Sequence, residues 1–385
     1  MTKTRNISDL LDANGDVKSG ALDNVPPSND ASALTTGTLL NARLSSAIVN
    51  QSAFKNIIIN GDMSIAQRGT SKSSIGFEYG TVDRFQTVQG SLGAFTQSQS
   101  TDVPTGQGFT KSLKMDCTTA DASPSSGDEL YIRQQIEGQN LQYLSKGTSS
   151  AKSLTVSFWV KSNKTGTYIV ELFDHDNSRH INKSYTISSA STWEKKNITY
   201  DGDTTGAFNN DNGSSLSLSF MLGAGSNSTS GTLQTSWGSS TQANRQVGQV
   251  NLADNTANEW YVTGIQLEAG TTASDFEFLP HDVNLERCLR YFEKSFNQGT
   301  TPANSVIVNV FFGRRGNIYF KKTKRVNPTM VSYSPLNNNG TWQWFSGIWN
   351  SVNPTFGISN TLFSYDLGGY EYTDVYGAWT ADAEL

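Results

Sequence analysis

The chain has 385 residues, of which 36% are apolar, 11% aromatic and 16% charged. So many aromatics with so few charges argue against intrinsic disorder. A net charge of −5 without a basic block argues against bulk attraction to nucleic acid. The abundance of Gly, Ser, Thr and Asn instead suits short strands joined by many turns.

From the start of the chain, Met1–Gly20 holds Lys3, Arg5, Asp9, Asp12 and Asp16 and has no apolar core of the kind a secretion signal needs. No run approaches the roughly 18 apolar residues of a membrane span. Ile7, Leu10 and Leu11 fit one helical turn, and Pro26-Pro27 breaks any regular element. The stretch Asp30 to Leu44 spaces Leu34, Leu39 and Leu44 too sparsely to bury themselves in one chain. Around a threefold axis they would supply a narrow shared core.

From 56 to 280 the apolar period is two. Leu154, Val156, Phe158 and Val160 share a strand face, Leu216, Leu218, Phe220 and Leu222 repeat the pattern, and Tyr261, Ile265 and Leu267 keep it loosely. About ten such strands imply two antiparallel sheets packed face to face, as in a jelly roll. Gly223 to Ser240 reads as an exposed loop. Leu285, Cys288, Leu289 and Phe292 then follow helical spacing, with Asp282 or Asn284 as cap and Glu286 placed to pair with Arg290. This predicts a connecting helix within 281–299. Beyond it, Val306, Val308, Val310 and Phe312 alternate, Ile318 to Phe320 and Thr329 to Tyr333 follow, and aromatics crowd Trp342 to Trp379. A second, smaller β-sandwich over 300–385 is expected. The fold class is therefore all-β, two antiparallel sandwiches with a short connecting helix and an N-terminal segment.

Three sets of segments carry a family resemblance. The first is Asn56-Ile57-Ile58-Ile59-Asn60-Gly61-Asp62-Met63 with Ala66-Gln67-Arg68-Gly69 and Val82-Asp83-Arg84-Phe85. The second is Gly264-Ile265-Gln266-Leu267-Glu268-Ala269-Gly270, continuing to Phe276-Glu277-Phe278-Leu279-Pro280 and Cys288 to Ser295. The third is Trp379-Thr380-Ala381-Asp382-Ala383-Glu384-Leu385. Together they resemble phage tail-fibre and virion-adhesin proteins built on carbohydrate-binding jelly rolls, and 30–44 resembles a unit found in many tail fibres. The resemblance implies a homotrimeric structural protein of the virion, a tail appendage assembled in the host cytoplasm. It would attach to a tail or adaptor protein through residues 1–29, continue through a trimer neck at 30–55, and bind host surface polysaccharide with its C-terminal domain. Alternatives are a polysaccharide-degrading tail spike and a purely structural collar or head fibre.

Candidate site residues follow from side-chain chemistry. Trp342, Trp344, Trp349, Tyr370 and Tyr372 offer flat faces for sugar C–H bonds, core packing being the alternative. Arg314, Arg315, Lys321, Lys322 and Lys324 form a basic cluster suited to the phosphates and uronates of a surface polymer, a solvated strand face being the alternative. Asp174 and Asp176, in the run to His180, suit either a hairpin turn or a structural calcium; no other cofactor is expected. No catalytic signature is present: there is no nucleophile elbow, zinc-protease helix or phosphate loop, and pairing Asp174 with Glu171 for glycoside cleavage would be arbitrary. The chain is expected not to be an enzyme. Cys117 and Cys288 read as small buried hydrophobes.

Overall fold

The computed structural model describes residues 54–385 apart from 305–308, 312, 346–347 and 369–373. All belong to the compact unit Ser52–Leu385, so the expected anchor and nearly all of the neck lie outside the described residues.

Two six-stranded antiparallel sheets form the large sandwich. In chain order its strands are β1 (Ser71–Lys72), β2 (Gln86–Gly90), β3 (Ala94–Ser100), β4 (Ser112–Thr119), β5 (Glu129–Glu137), β6 (Leu154–Ser162), β7 (Gly166–Asp174), β8 (Arg179–Ile187), β9 (Glu194–Tyr200), β10 (Ser214–Ala224), β11 (Gly238–Ser239) and β12 (Glu259–Ala269). One sheet runs β1-β3-β4-β12-β6-β9, the other β11-β8-β7-β10-β5-β2. The alternating residues of β6 and β10 interdigitate between them, with Phe158 and Phe220 edge to face at 5.0 Å. Ile265 and Leu267 join this core, but Tyr261 faces the other way. A register shift between Thr263 and Gln266 explains the change of face, and Lys161 lies 4.3 Å over the Tyr261 ring.

The Gly223–Ser240 stretch is not a free loop. It ends β10, forms a short helix α1 (Ser226–Thr229), seats Leu233 on Val88, Tyr131, Ile169 and Met221, and adds β11 to β8. Its low hydropathy concealed a packed lid because one leucine supplies the anchor.

The connecting helix is α2, His281–Leu289, shorter than expected. Pro280 stands at its N-cap, where no side chain caps, and Asn284 is buried and committed elsewhere. Glu286 pairs with Lys322 and Arg290 with Glu137, so the expected intrahelical pair is absent. Residues 292–294 leave the helix as β13 (Phe292–Lys294), which pairs with the last strand of the chain.

The second sandwich continues with β14 (Asn309–Phe311), β15 (Arg315–Tyr319), β16 (Thr329–Tyr333), β17 (Trp342–Phe345), β18 (Trp349–Val352), β19 (Thr355–Ile358), β20 (Leu362–Asp366) and β21 (Val375–Asp382). Strand β21 is its spine. Its first half lies between β14 and β17, its second half between β13 and β16. A three-stranded sheet β15-β20-β19 closes over it around Trp342, Phe363 and Trp379.

The three recognisable sets of segments meet in space. Asn56 to Gly61 runs beside β12: the Ile57 amide donates to the Leu267 carbonyl at 2.9 Å, and Asn56 Nδ2 donates to the Ile265 carbonyl at 3.1 Å. Gly61 fits because a Cβ there would stand 2.1 Å from the Ile265 carbonyl oxygen. Asn60 bridges Ile65 and Asp83, and its amide donates to Asn284 of α2 at 3.2 Å. Arg84 is fully buried at φ 73, a conformation costly for a non-glycine residue. It is held by Glu384, by the Gln135 carbonyl at 2.7 Å and by the Tyr291 ring 3.4 Å below its guanidinium. The Tyr79 hydroxyl donates to the Leu385 carbonyl at 2.9 Å. These segments are therefore the joint between the sandwiches. Cys288 lies in its small apolar centre, with Ile59, Ile65 and Tyr291; Cys117 lies in the large core, and both thiols are free.

Candidate functional site

Strand pairing builds an open face on the second sandwich. Because side chains alternate along a strand, β13, β21 and β16 present Phe292, Asp382 and Thr329 in one row and Lys294, Thr380 and Val331 in the next. Their alternates, Ala381, Trp379 and Met330, turn inward to the second core. After β13 the chain keeps company with β21: the Ser295 amide donates to the Trp379 carbonyl at 3.0 Å. Phe296 and Tyr333 then flank the end of the face, their rings 6.0 Å apart and edge to face. Arg68 and Thr300 to Pro302 complete the lining of a groove of about 610 Å³.

Aromatic rings and threonine hydroxyls both line this groove. Val331 is 43% exposed and both flanking rings are half-buried, so apolar surface remains available to a ligand. Arg68 lies 3.8 Å over the Phe292 ring and donates to Asp382 at 2.8 Å and to Glu384 at 3.3 Å, so its charge is neutralised within the wall. Lys294 differs. Its ammonium sits 4.5 Å over the Phe296 ring, and among the described residues no carboxylate forms an ion pair with it. Burial lowers its pKa, with Asp83 pulling weakly the other way.

The residues expected to carry function are placed differently. Trp342 is fully buried, its indole N–H donating to the Ala378 carbonyl at 3.2 Å and its ring 5.5 Å from that of Tyr365, so it is core. Trp344 lies on the same face and packs against that core half-buried. Trp349 is 47% exposed and edge to face with Tyr376 at 5.4 Å, away from the groove. Tyr370 and Tyr372 lie outside the described residues.

The basic cluster does not form one patch. Arg314 and Arg315 both reach Asp366, at 3.4 and 2.7 Å. Lys322 pairs with Glu286 at 3.2 Å, Lys321 is exposed, and Lys324 is buried with its ammonium 2.6 Å from Glu293. Adjacent cations are thus sent to three separate partners, because a strand, its turn and a buried edge separate them.

Asp174 and Asp176 brace the β7–β8 hairpin. Asp174 is buried 2.6 Å from the Lys146 ammonium and accepts from the Asn177 amide at 3.1 Å; Asp176 accepts from the Asn209 amide at 3.0 Å. Among the described residues no three His, Cys, Asp or Glu side chains gather as a metal site. Lys294, Phe296 and Tyr333 were not singled out from sequence. The Thr329–Tyr333 alternation was legible, but the Lys294–Phe296 run was hidden inside an expected helix.

No family model matches the chain, and no curated protein matches it. Solved structures do match at low identity. A tailspike of bacteriophage CBA120, the enzymatically active domain of tailspike protein 4, is 12% identical with a TM-score of 0.30, over 57% of this chain and 22% of that one. The chain therefore spans less than a quarter of that tailspike. The CBM4 module is 13% identical with a TM-score of 0.28, over 55% of this chain and 97% of that one. A family 11 carbohydrate-binding module from Clostridium thermocellum, in complex with a mixed-linked tetrasaccharide, is 13% identical with a TM-score of 0.27, over 53% and 99%. At these scores the chemistry of the site has to be read from its own residues.

Proposed function

We propose that this protein is a phage tail fibre that binds host surface glycan in the groove between β13, β21 and β16. The observation that carries the site is the pair Phe296 and Tyr333 beside Thr380 and Thr329, lining a groove on one sheet face of the second sandwich. Sugar rings offer apolar C–H faces and hydroxyl rims, and aromatic rings bordered by hydroxyls match both. The volume of this groove lies in the range of small-ligand sites. The tail-fibre role rests on the three sets of recognisable segments, and trimerisation through 30–55 would turn weak single sites into avid attachment.

Mixing host surface polysaccharide with the protein and following both retention and glycan size tests this reading. Retention without shortening is expected, and Tyr333→Ala with Phe296→Ala should reduce it at least tenfold through loss of stacking. Retention unchanged in that double variant would remove the groove from the account. Shortening of the glycan would replace binding with cleavage.

A further inference from the structure

We infer that the groove selects an anionic pyranose, one carrying a carboxylate or a phosphate, and that Lys294 is the residue that reads the charge. This inference rests on the glycan-binding reading of the groove and adds the ligand's chemical class.

Arg68 is matched by Asp382 and Glu384, and Arg84 by Glu384 behind the wall. Asp83 is buried and already accepts from the Gln67 amide and side chain at 2.8 and 2.6 Å. Among the described residues, Lys294 alone of the groove's cations forms no ion pair with a carboxylate, although its residue is only 8% exposed. An ammonium held in place by an aromatic face, with its stem buried, retains a costly unsatisfied charge. A ligand anion arriving over Thr380 would supply the missing partner and gain a charge-assisted hydrogen bond in a partly desolvated setting.

Geometry also says where the anion sits. Lys294 and Thr380 are cross-strand neighbours, and Phe296 flanks the same end as Tyr333. A pyranose stacked on Tyr333 or Phe296 therefore points one substituent toward the ammonium. Asp382 lies one row further along, engaged by Arg68, so the repulsive carboxylate is at the opposite end from the rings. The groove is polarised along its length, positive beside the rings.

The test uses the whole chain and ligand-observed saturation-transfer binding with methyl glucuronide, a glucosyl phosphate and neutral methyl glucoside. Wild type is expected to bind at least one anionic probe about tenfold more tightly than the glucoside, the usual scale of one charge-assisted hydrogen bond. Lys294→Gln should bring that ratio close to one, and Lys294→Arg should restore it. Which anionic probe wins distinguishes a uronate from a sugar phosphate. Equal binding of all three probes by wild type, or a ratio that survives Lys294→Gln, overturns the inference. In that case, loss of every probe in Tyr333→Ala would leave the glycan-binding reading standing. If wild type binds none of the probes the inference fails, and polysaccharide retention judges the broader reading separately.

Discussion

Glu137 fastens α2 to the large sandwich with one side chain. Its backbone lies in β5, and its carboxylate accepts from Arg290 Nε and Nη2 at 2.7 and 2.6 Å and from Gln139 at 2.6 Å, with the Tyr291 hydroxyl on the same oxygen as Arg290 Nε. Burial pushes this carboxyl up, but the hydrogen bonds from Arg290 and Tyr291 outweigh it and hold the pKa below the ordinary glutamate value. A folded-state pKa below the unfolded one means the unfolded chain binds the proton first. The stabilisation is thus complete above the unfolded value, about 4.3, and is lost as pH falls through the folded one. Denaturation midpoints of wild type should therefore drop below about pH 4.3, whereas Glu137→Gln should start lower at neutral pH and show a flatter acid limb. Parallel curves for the two proteins would mean that Glu137 makes no pH-linked contribution. The bidentate contact was beyond the reach of sequence, because Glu137 and Arg290 lie far apart in the chain and a closer glutamate, Glu286, offered the simpler pairing.

Elements were legible wherever the apolar side chains kept to one face. The alternating faces of β6 and β10 were evident because their opposite faces, though largely buried, carry mostly Ser and Thr. Legibility failed at β13. Phe292 satisfies helical spacing from Cys288 and also strand alternation with Lys294, and only the vacant edge of β21 decides for the strand. It also failed for aromatics, since composition cannot say whether a ring faces a core or a ligand. Trp342 shows the consequence: it fills the centre of the second core against Phe356 and Tyr365. Trp342→Ala should cost about 3–5 kcal/mol as a cavity mutation, whereas Trp349→Ala, at a half-exposed site, should cost no more than about 1 kcal/mol. Chemical denaturation of the two variants checks this, and equal losses would contradict the placement of Trp342. For the same reason Trp342→Ala is a poor probe of glycan binding, since lost retention would follow from lost folding.

At the scale of the whole molecule, the segments recognisable in the sequence build the joint and also part of the binding face: Phe292, Lys294, Thr380 and Asp382 lie in them, whereas Phe296, Thr329, Val331 and Tyr333 do not. Arg68 and Arg84 come from the first set of segments, Cys288 and Tyr291 from the second, and Asp382, Glu384 and Leu385 from the third, while Tyr79 and most of α2 lie between the segments. A joint demands particular residues because buried charges must find particular partners, and the Arg68–Asp382 pair serves the joint and the groove wall together. This gives the domains unequal independence. The large sandwich has its own core between Ile58 and Leu267, yet two of its arginines reach carboxylates supplied by the end of the chain. Deleting 300–385 would strand Arg68 and Arg84 as unpaired charges, and would leave β13 without β21. The loss of a buried partner costs about 3–5 kcal/mol, so the truncated chain should unfold at a clearly lower denaturant concentration than the large sandwich does in the intact chain. Fluorescence of Trp260, fully buried in the large core, would report that transition. An unchanged midpoint would show that the joint does not couple the sandwiches. A lowered one would mean that lost host attachment in the truncation cannot by itself locate the binding face, and that single substitutions in the groove must do so.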